Sequence, residues 1–414
     1  LYPVNEVSND IFYQFQGGLN LSLPSFLLPF PVRWLPKDVR RDGNLTRFSP
    51  QTSFGTNVRS ENLREFSRIT VSGNSTYRWA HIPGQQTAIS QLSPFVIELI
   101  NIDIRDEDFA RQVDTLPQAI QRNFLPRFSS RLVYTYTETD ALFRRLFKNN
   151  RNTFIFRGNI EIGGNIPYLL DRLRVVGDDT DFRDHKLGEV NYGQFFKGSM
   201  EWKFYFPFSQ NPSNQFVIRS LIGGSFAWNY TGVVPPESRY YSGGTSTMRG
   251  WQSNTLGPGT FSLDELQAST DAENFSSIFA PGGETILELN AELRFDVYPY
   301  LKMAFFTDLG NVWFTDRQRV RDELTSSESG DGGLPENIVN RMVMRPGNYV
   351  LGWDAGVGFR FDFSFLILRL DLAQQLFAPD LVDDPVRQGW VIQRFPRDLG
   401  GRRWQFNLGI GYPF

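Results

Sequence analysis

The C-terminal segment limits the fold of this chain more than any other. The even positions Trp404, Phe406, Leu408, Ile410, Tyr412 and Phe414 are all apolar or aromatic, and the odd positions Gln405, Asn407, Gly409, Gly411 and Pro413 are small or polar. Alternation with period two over so long a segment predicts a β-strand, because successive side chains point to opposite faces. So much aromatic area on one face, opposite so little bulk on the other, suits a strand with lipid on one side and a lumen on the other. The edge strand of a soluble sandwich would also alternate, but a long, apolar, unpaired terminal strand is an aggregation hazard in water.

The same pattern recurs upstream. Phe154, Phe156, Gly158, Ile160 and Ile162 alternate with Ile155, Arg157, Asn159, Glu161 and Gly163. Leu287, Leu289, Ala291, Leu293 and Phe295 alternate with Glu288, Asn290, Glu292, Arg294 and Asp296, which places charged or amide groups along one face, a lumen face. Further strands are expected near 10–23, 52–60, 66–80, 92–103, 130–139, 193–208, 214–230, 301–314, 349–363 and 366–377, about thirteen in all. Tight turns alternate with long polar segments such as Val234 to Pro281 and Asp316 to Asn348, the short-turn, long-loop asymmetry of an outer-membrane barrel. Asp106 to Phe124 is expected to hold a short helix.

Composition fits this reading. Phe, Tyr and Trp make up 15% of the chain, yet mean hydropathy is −0.33, and no stretch approaches the roughly 18 apolar residues of a spanning helix. The expected fold is therefore all-β, a transmembrane antiparallel β-barrel filling residues 1–414 as one domain. Up-and-down topology in single bacterial chains gives even strand numbers, so thirteen implies either a miscount or missing strands. Leu1 to Phe30 lacks a basic start followed by an apolar core, so any targeting peptide is expected to have been removed or to lie outside the chain.

Several chemistries are disfavoured. A net charge of −3 argues against a nucleic-acid partner. The absence of cysteine removes thiolate chemistry, and two histidines, His81 and His185, cannot form a multi-histidine metal site. Ser242-Gly243-Gly244-Thr245 is glycine-rich but lacks the Gly-Lys-Ser/Thr of a phosphate loop. No cofactor, metal site or catalytic constellation is expected. A passive porin stays open, since a charged lumen also serves ion selectivity.

Three segments carry a resemblance. Tyr240 to Trp251, ending Met248-Arg249-Gly250-Trp251 and followed by Leu256-Gly257-Pro258-Gly259, resembles the long loop of the BamA/TamA outer-membrane assembly factors, whose hallmark is Arg-Gly-aromatic. Glu288 to Phe295 and Phe305 to Trp313 resemble the two strands that follow that loop and receive its arginine. Phe414, on its alternating strand, is similar to the terminal signal of outer-membrane barrels. The resemblance runs from about Asn191 to the end, and the Ile410-Gly411-Tyr412-Pro413-Phe414 ending looks more like TamA-type proteins of Bacteroidetes.

The resemblance implies sixteen strands, with the loop at about 234–281 folded into the barrel between the eleventh and twelfth. Five strands follow the loop here and eight precede it. The chain is thus expected to begin inside the barrel, Ile11 to Leu23 lying near the family's fourth strand, without the first three strands or the periplasmic POTRA repeats. The implied function is insertion and folding of other outer-membrane proteins without ATP, through a lateral gate in which Trp404 to Phe414 forms one side. The implied surroundings are the bilayer and lipopolysaccharide of the bacterial outer membrane. The implied partners are nascent outer-membrane proteins, with accessory lipoproteins or a TamB-like periplasmic protein beside them. The alternatives are a two-partner-type secretion pore or a passive porin.

Physical chemistry adds a specific contact. Alternation places Glu292 on the lumen face, and Lys302, Ala304, Phe306, Asp308 and Gly310 share a face of the next strand. A guanidinium buried in a lumen is costly unless it faces carboxylates, whose planar geometry it matches. Arg249 is therefore expected to contact Glu292 and Asp308. Gly250 and Gly310 would permit close backbone approach, and Trp251 would pack on the inner wall.

Overall fold

A computed structural model describes residues 13–24, 27, 51–63, 65–82, 85–140, 151–174, 186–187, 190–228, 232–261, 281–326, 333–346, 348–363, 366–383, 388–391 and 403–414. Thirteen long strands follow one another in a single antiparallel meander. They are β1 (Tyr13–Leu23), β2 (Gln51–Asn62), β3 (Phe66–Ile82), β4 (Gln85–Ile104), β5 (Arg127–Thr139), β6 (Thr153–Gly163), β7 (Phe195–Pro207), β8 (Gln215–Ala227), β9 (Thr285–Tyr298), β10 (Leu301–Thr315), β11 (Gly352–Asp362), β12 (Ile367–Phe377) and β13 (Trp404–Ile410). Two-residue strands at Lys186–Leu187, Val190–Asn191 and Val343–Met344 attach to the sheet. Among the described residues, β1 pairs only with β2 and β13 only with β12. Ile11 lies outside the described residues, and so does His185. His81 is exposed near the end of β3, its Nε2 2.6 Å from Ser90 Oγ.

Alternation divides the sheet into two faces. On β9, Leu287, Leu289 and Leu293 are exposed, while Glu288, Asn290, Glu292 and Arg294 are buried. A polar face buried against its own protein and an apolar face left open is the reverse of a soluble sheet and matches a barrel in lipid. The exposed apolar set continues through Leu132 on β5, Ile160 on β6, Met200 on β7 and Phe305 on β10. No helix among the described residues is long and apolar enough to cross a membrane. The strands supply the crossing.

The two rims differ. At one, β3–β4, β9–β10 and β11–β12 join through short connections. At the other lie the long segments 104–127, 227–285 and 315–352. Their described residues are more structured than the polarity of the segments suggests. The first carries α1 (Glu107–Thr115) and α2 (Gln118–Gln121), in the region where a short helix was expected. Asp106 caps α1, its carboxylate accepting from the backbone N–H of Asp108 and Phe109. Helix α3 (Asn165–Arg174) follows β6, and α4 (Gln318–Thr325) and α5 (Glu336–Met342) follow β10; none of these three was anticipated. Phe109, Val113, Leu116 and Ile120 from the first segment join Val320, Leu324, Val339 and Met342 from the last, with Val233 and Phe261 from the middle one, in one apolar core. Three loops thereby form a shared cap, because none of these short helices could bury its apolar stripe alone.

Candidate functional site

Strand register lays out the site. Asn290 on β9 pairs with Asp308 on β10, Asp308 with Asp354 on β11, and Asp354 with Gln375 on β12, giving one polar row across four neighbouring strands. The loop backbone from Thr247 to Gly250 crosses that row. Asn290 Nδ2 donates to Thr247 O at 2.6 Å, Gly250 N donates to Asp354 Oδ2 at 2.9 Å, and Gln375 Nε2 donates to Gly250 O at 2.7 Å. Asn407 Nδ2 on β13 donates to Arg249 O at 2.8 Å. The loop is thus fastened to every strand from β9 to the terminal β13.

Arg249 lies at the centre, fully buried. Its Nε and Nη2 donate to the two carboxylate oxygens of Asp308, each at 2.9 Å, and its Nη1 donates to Glu292 Oε2 at 2.7 Å. Such two-pronged pairing is the geometry a guanidinium offers and an ammonium does not. Its Cζ sits 3.5 Å from the centre of the Phe306 ring, a cation over an aromatic face. Glu292 also accepts from Arg294 Nε at 2.9 Å and Arg360 Nη2 at 2.8 Å. Arg360 and Arg369 flank Asp371, and Arg369 Nη2 donates to Thr245 O at 2.6 Å. Burying charge is tolerable here only because each sign faces the other at hydrogen-bonding distance.

The glycines and the tryptophan fit the same geometry. A Cβ at Gly250 would stand 2.7 Å from Asp354 Cβ, and one at Gly310 would stand 2.8 Å from Leu287 O and 3.1 Å from Met248 Sδ. Trp251 is buried with Met248, Leu256, Ala378 and Val391, its ring lying over Gly352, where a Cβ would meet it at 2.8 Å. Upstream in the loop, Ser242 Oγ donates to Glu288 Oε1 at 2.8 Å, and Glu288 in turn pairs with Arg219 of β8.

The base of the loop is anchored separately. Arg127 of β5 pairs with Glu237 at 2.8 Å. Burial would raise the Glu237 carboxyl, but the Arg127 guanidinium and the loop backbone outweigh it and hold it below the usual range. Arg239, fully enclosed, donates to the carbonyls of Val234, Pro281 and Ala119, which joins the loop to α2. Arg317 and Glu284 pair at 2.8 Å where the loop rejoins β9.

The terminal segment departs from the sequence pattern. Trp404, Phe406, Leu408 and Ile410 are exposed on the lipid face, but β13 stops at Ile410. Gly411 takes φ +80°, a conformation open to glycine, and Pro413 has no N–H to continue a ladder. Tyr412 and Phe414 therefore leave the strand and turn toward the lumen arginines. The Tyr412 ring lies 4.7 Å from Arg294 Cζ, and the Phe414 ring lies 5.4 Å from Arg294 Cζ and 5.7 Å from Arg249 Cζ. Neither ring faces lipid as part of the strand.

Sequence reading also overlooked Asp354, Arg360, Arg369 and Asp371. The signal was present, since Asp354, Gly356, Gly358 and Arg360 alternate with Ala355, Val357, Phe359 and Phe361, and Arg369 and Asp371 alternate with leucines.

An all-β meander with a lipid-facing apolar belt, a polar interior and a long loop bound to that interior defines an outer-membrane β-barrel. Residues 181–414 match the Omp85 superfamily domain; the chain belongs to that superfamily. It is similar to the outer membrane protein assembly factor BamA of Neisseria meningitidis serogroup B, with 24% identity over 150 residues, 35% of this chain and 17% of that protein. The chain therefore spans a small part of the relative's length. Among solved structures it resembles BamA from Haemophilus ducreyi lacking POTRA domains 1–3, with a TM-score of 0.52 and 11% identity, covering 88% of this chain and 59% of that one. CdiB from Acinetobacter baumannii aligns at a TM-score of 0.38 and 11% identity, covering 88% of this chain and 50% of that one.

Proposed function

We propose that this chain is the barrel of an outer-membrane protein assembly factor, which inserts nascent barrels through a lateral gate beside β13 and uses no ATP. The observation that carries the reading is the fastening of the Arg249–Gly250 segment to β9, β10, β11, β12 and β13 at once. Such a fastening stiffens the terminal half of the barrel up to its last strand. Among the described residues no strand pairs the outer edge of β13; N–H and C=O groups on such an edge are ones lipid cannot satisfy, and an edge of that kind templates an incoming strand. The same interior speaks against a passive porin, because buried ion pairs occupy the space a steady aqueous channel needs. On this reading Arg249, Gly250, Trp251, Glu292, Asp308 and Gly310 position the loop, while Trp404, Phe406, Leu408 and Ile410 form the lipid-facing side of the gate strand.

Cross-linking tests the gate. The chain contains no cysteine, so Leu408→Cys can be paired with a client barrel carrying one cysteine in its own terminal strand. A disulfide formed during client folding, and not formed by a matched cysteine at Met200 on β7, is the expected result. Equal capture at both positions, or capture at neither while the client folds, would remove β13 from the mechanism.

A further inference from the structure

Helix α3 carries an apolar stripe that the described residues leave largely uncovered. Ile166, Leu169, Leu170 and Leu173 fall at the i, i+3, i+4, i+7 spacing of one helical face. A stripe of this kind normally faces a core. Here Leu169, Leu170 and Leu173 are 56%, 47% and 64% exposed, whereas the stripes of α1, α4 and α5 are buried in the cap. Helix α3 stands apart from that cap and lies against β5 and the short strand at Lys186–Leu187, with Pro167 buried.

Its position relative to the barrel says what covers it. Leu132 of β5 pairs in register with Ile162 of β6, and both Leu132 and Ile160 belong to the exposed, lipid-facing set. The helix begins only three residues after Ile162, roughly 10 Å further along the strand direction. The leucine stripe is thus a continuation of the lipid belt at the long-loop rim. Arg172, exposed, lies beside the stripe, in a position from which its stem can follow apolar surface while its head reaches lipid phosphates.

We propose that α3 is an interfacial helix. It lies in the plane of the leaflet at the long-loop rim, with Leu169, Leu170 and Leu173 among the upper acyl chains and Arg172 at the level of anionic headgroups. Apolar face, basic flank and adjacency to a membrane-spanning wall are the features of helices that lie on a bilayer and do not cross it. The helix would hold the β5–β7 rim at a fixed depth.

The absence of native cysteine allows one polarity-sensitive label per molecule. The label is placed at Leu170→Cys, at Leu132→Cys as a lipid-exposed reference and at Arg111→Cys on α1 as a water-exposed reference. Each variant is folded as single copies into phosphatidylcholine–phosphatidylglycerol nanodiscs, with and without a nitroxide near the headgroup end of the acyl chain. The label at 170 is expected to emit at shorter wavelength than the label at 111, to be quenched by the lipid nitroxide and to resist aqueous iodide. A label at 170 that iodide quenches like the one at 111 would overturn the proposal. A label shielded from both quenchers would also overturn it, in favour of a protein cover. As a second variant, Leu169→Asp with Leu173→Asp should leave the barrel folded, by its heat-modifiable migration, yet render the label at 170 iodide-accessible. Unchanged shielding in that folded variant would equally contradict a leucine-driven lipid contact.

Discussion

Removing the Arg249 side chain discriminates between a loop held by charge pairing and one merely resting in the lumen. Glu292 and Asp308 are both 0% exposed beside Arg249, but Arg249→Ala does not leave the two carboxylates in the same state. Glu292 keeps Arg294 at 2.9 Å and Arg360 at 2.8 Å, whereas Asp308 keeps only neutral donors such as Asn290 Nδ2 at 2.9 Å. Most of the penalty therefore falls on Asp308, and breaking one side of such a buried pair costs about 3–5 kcal/mol. Neutralising the stranded group should recover part of it: Arg249→Ala with Asp308→Asn is expected to be about 1–2 kcal/mol more stable than Arg249→Ala alone. Asp308→Asn alone should destabilise. Urea titration of the heat-modifiable folded band in lipid vesicles measures all four corners of the cycle. Strictly additive effects, or a double variant less stable than Arg249→Ala, would refute the assignment of the cost to Asp308.

Three further outcomes follow from the same geometry. Gly310→Ala places a Cβ 2.8 Å from Leu287 O, an atom of the sheet that cannot yield, so it should cost about 1–3 kcal/mol by urea titration. Trp251→Ala empties the space between Gly352 and the Met248–Leu256 cluster and should cost about 3–5 kcal/mol, with protease cleavage within 242–256 as its signature. Glu237, held below the ordinary carboxyl range mainly by Arg127 against the upward push of burial, contributes stability that is complete above its unfolded value of about 4.3. That stability is lost as pH falls through the lower folded value. Glu237→Gln should lose that stability near pH 7, raising cleavage over 232–261 there, and so flatten the acid limb of the proteolysis profile.

Much of this architecture was legible because the lipid solvent imposes period-two alternation on every strand. Glu288 to Arg294 declared a polar interior without any knowledge of the fold, and the thirteen expected strands correspond to thirteen long strands. The contacts of Arg249 with Glu292 and Asp308 could be anticipated because the resemblance sets that arginine against these two strands, and a buried guanidinium requires carboxylates, which alternation placed on their interior face. Other features were hidden for identifiable reasons. Phe414 continues the even-numbered apolar series, so alternation alone keeps it on the lipid face; the turn at Gly411 is a backbone event that a side-chain pattern does not register. Helices α4 and α5 are eight and seven residues long, too short to stabilise themselves, and they exist through packing on residues distant in sequence. Asp354 accepts from the Gly250 amide because strand register sets it beside Asp308, which only the assembled sheet reveals.

The central claim is that this barrel accelerates the folding of other barrels, and vesicle reconstitution tests it most directly. An unfolded client outer-membrane barrel is diluted from urea, without ATP, onto vesicles that are empty, contain this protein, or contain Arg249→Ala at equal density. The account predicts faster appearance of the folded client with the protein than without it, and a loss of that acceleration with Arg249→Ala while the variant barrel itself stays folded. Client folding at the empty-vesicle rate, together with a large steady conductance from the unaltered protein, would contradict it.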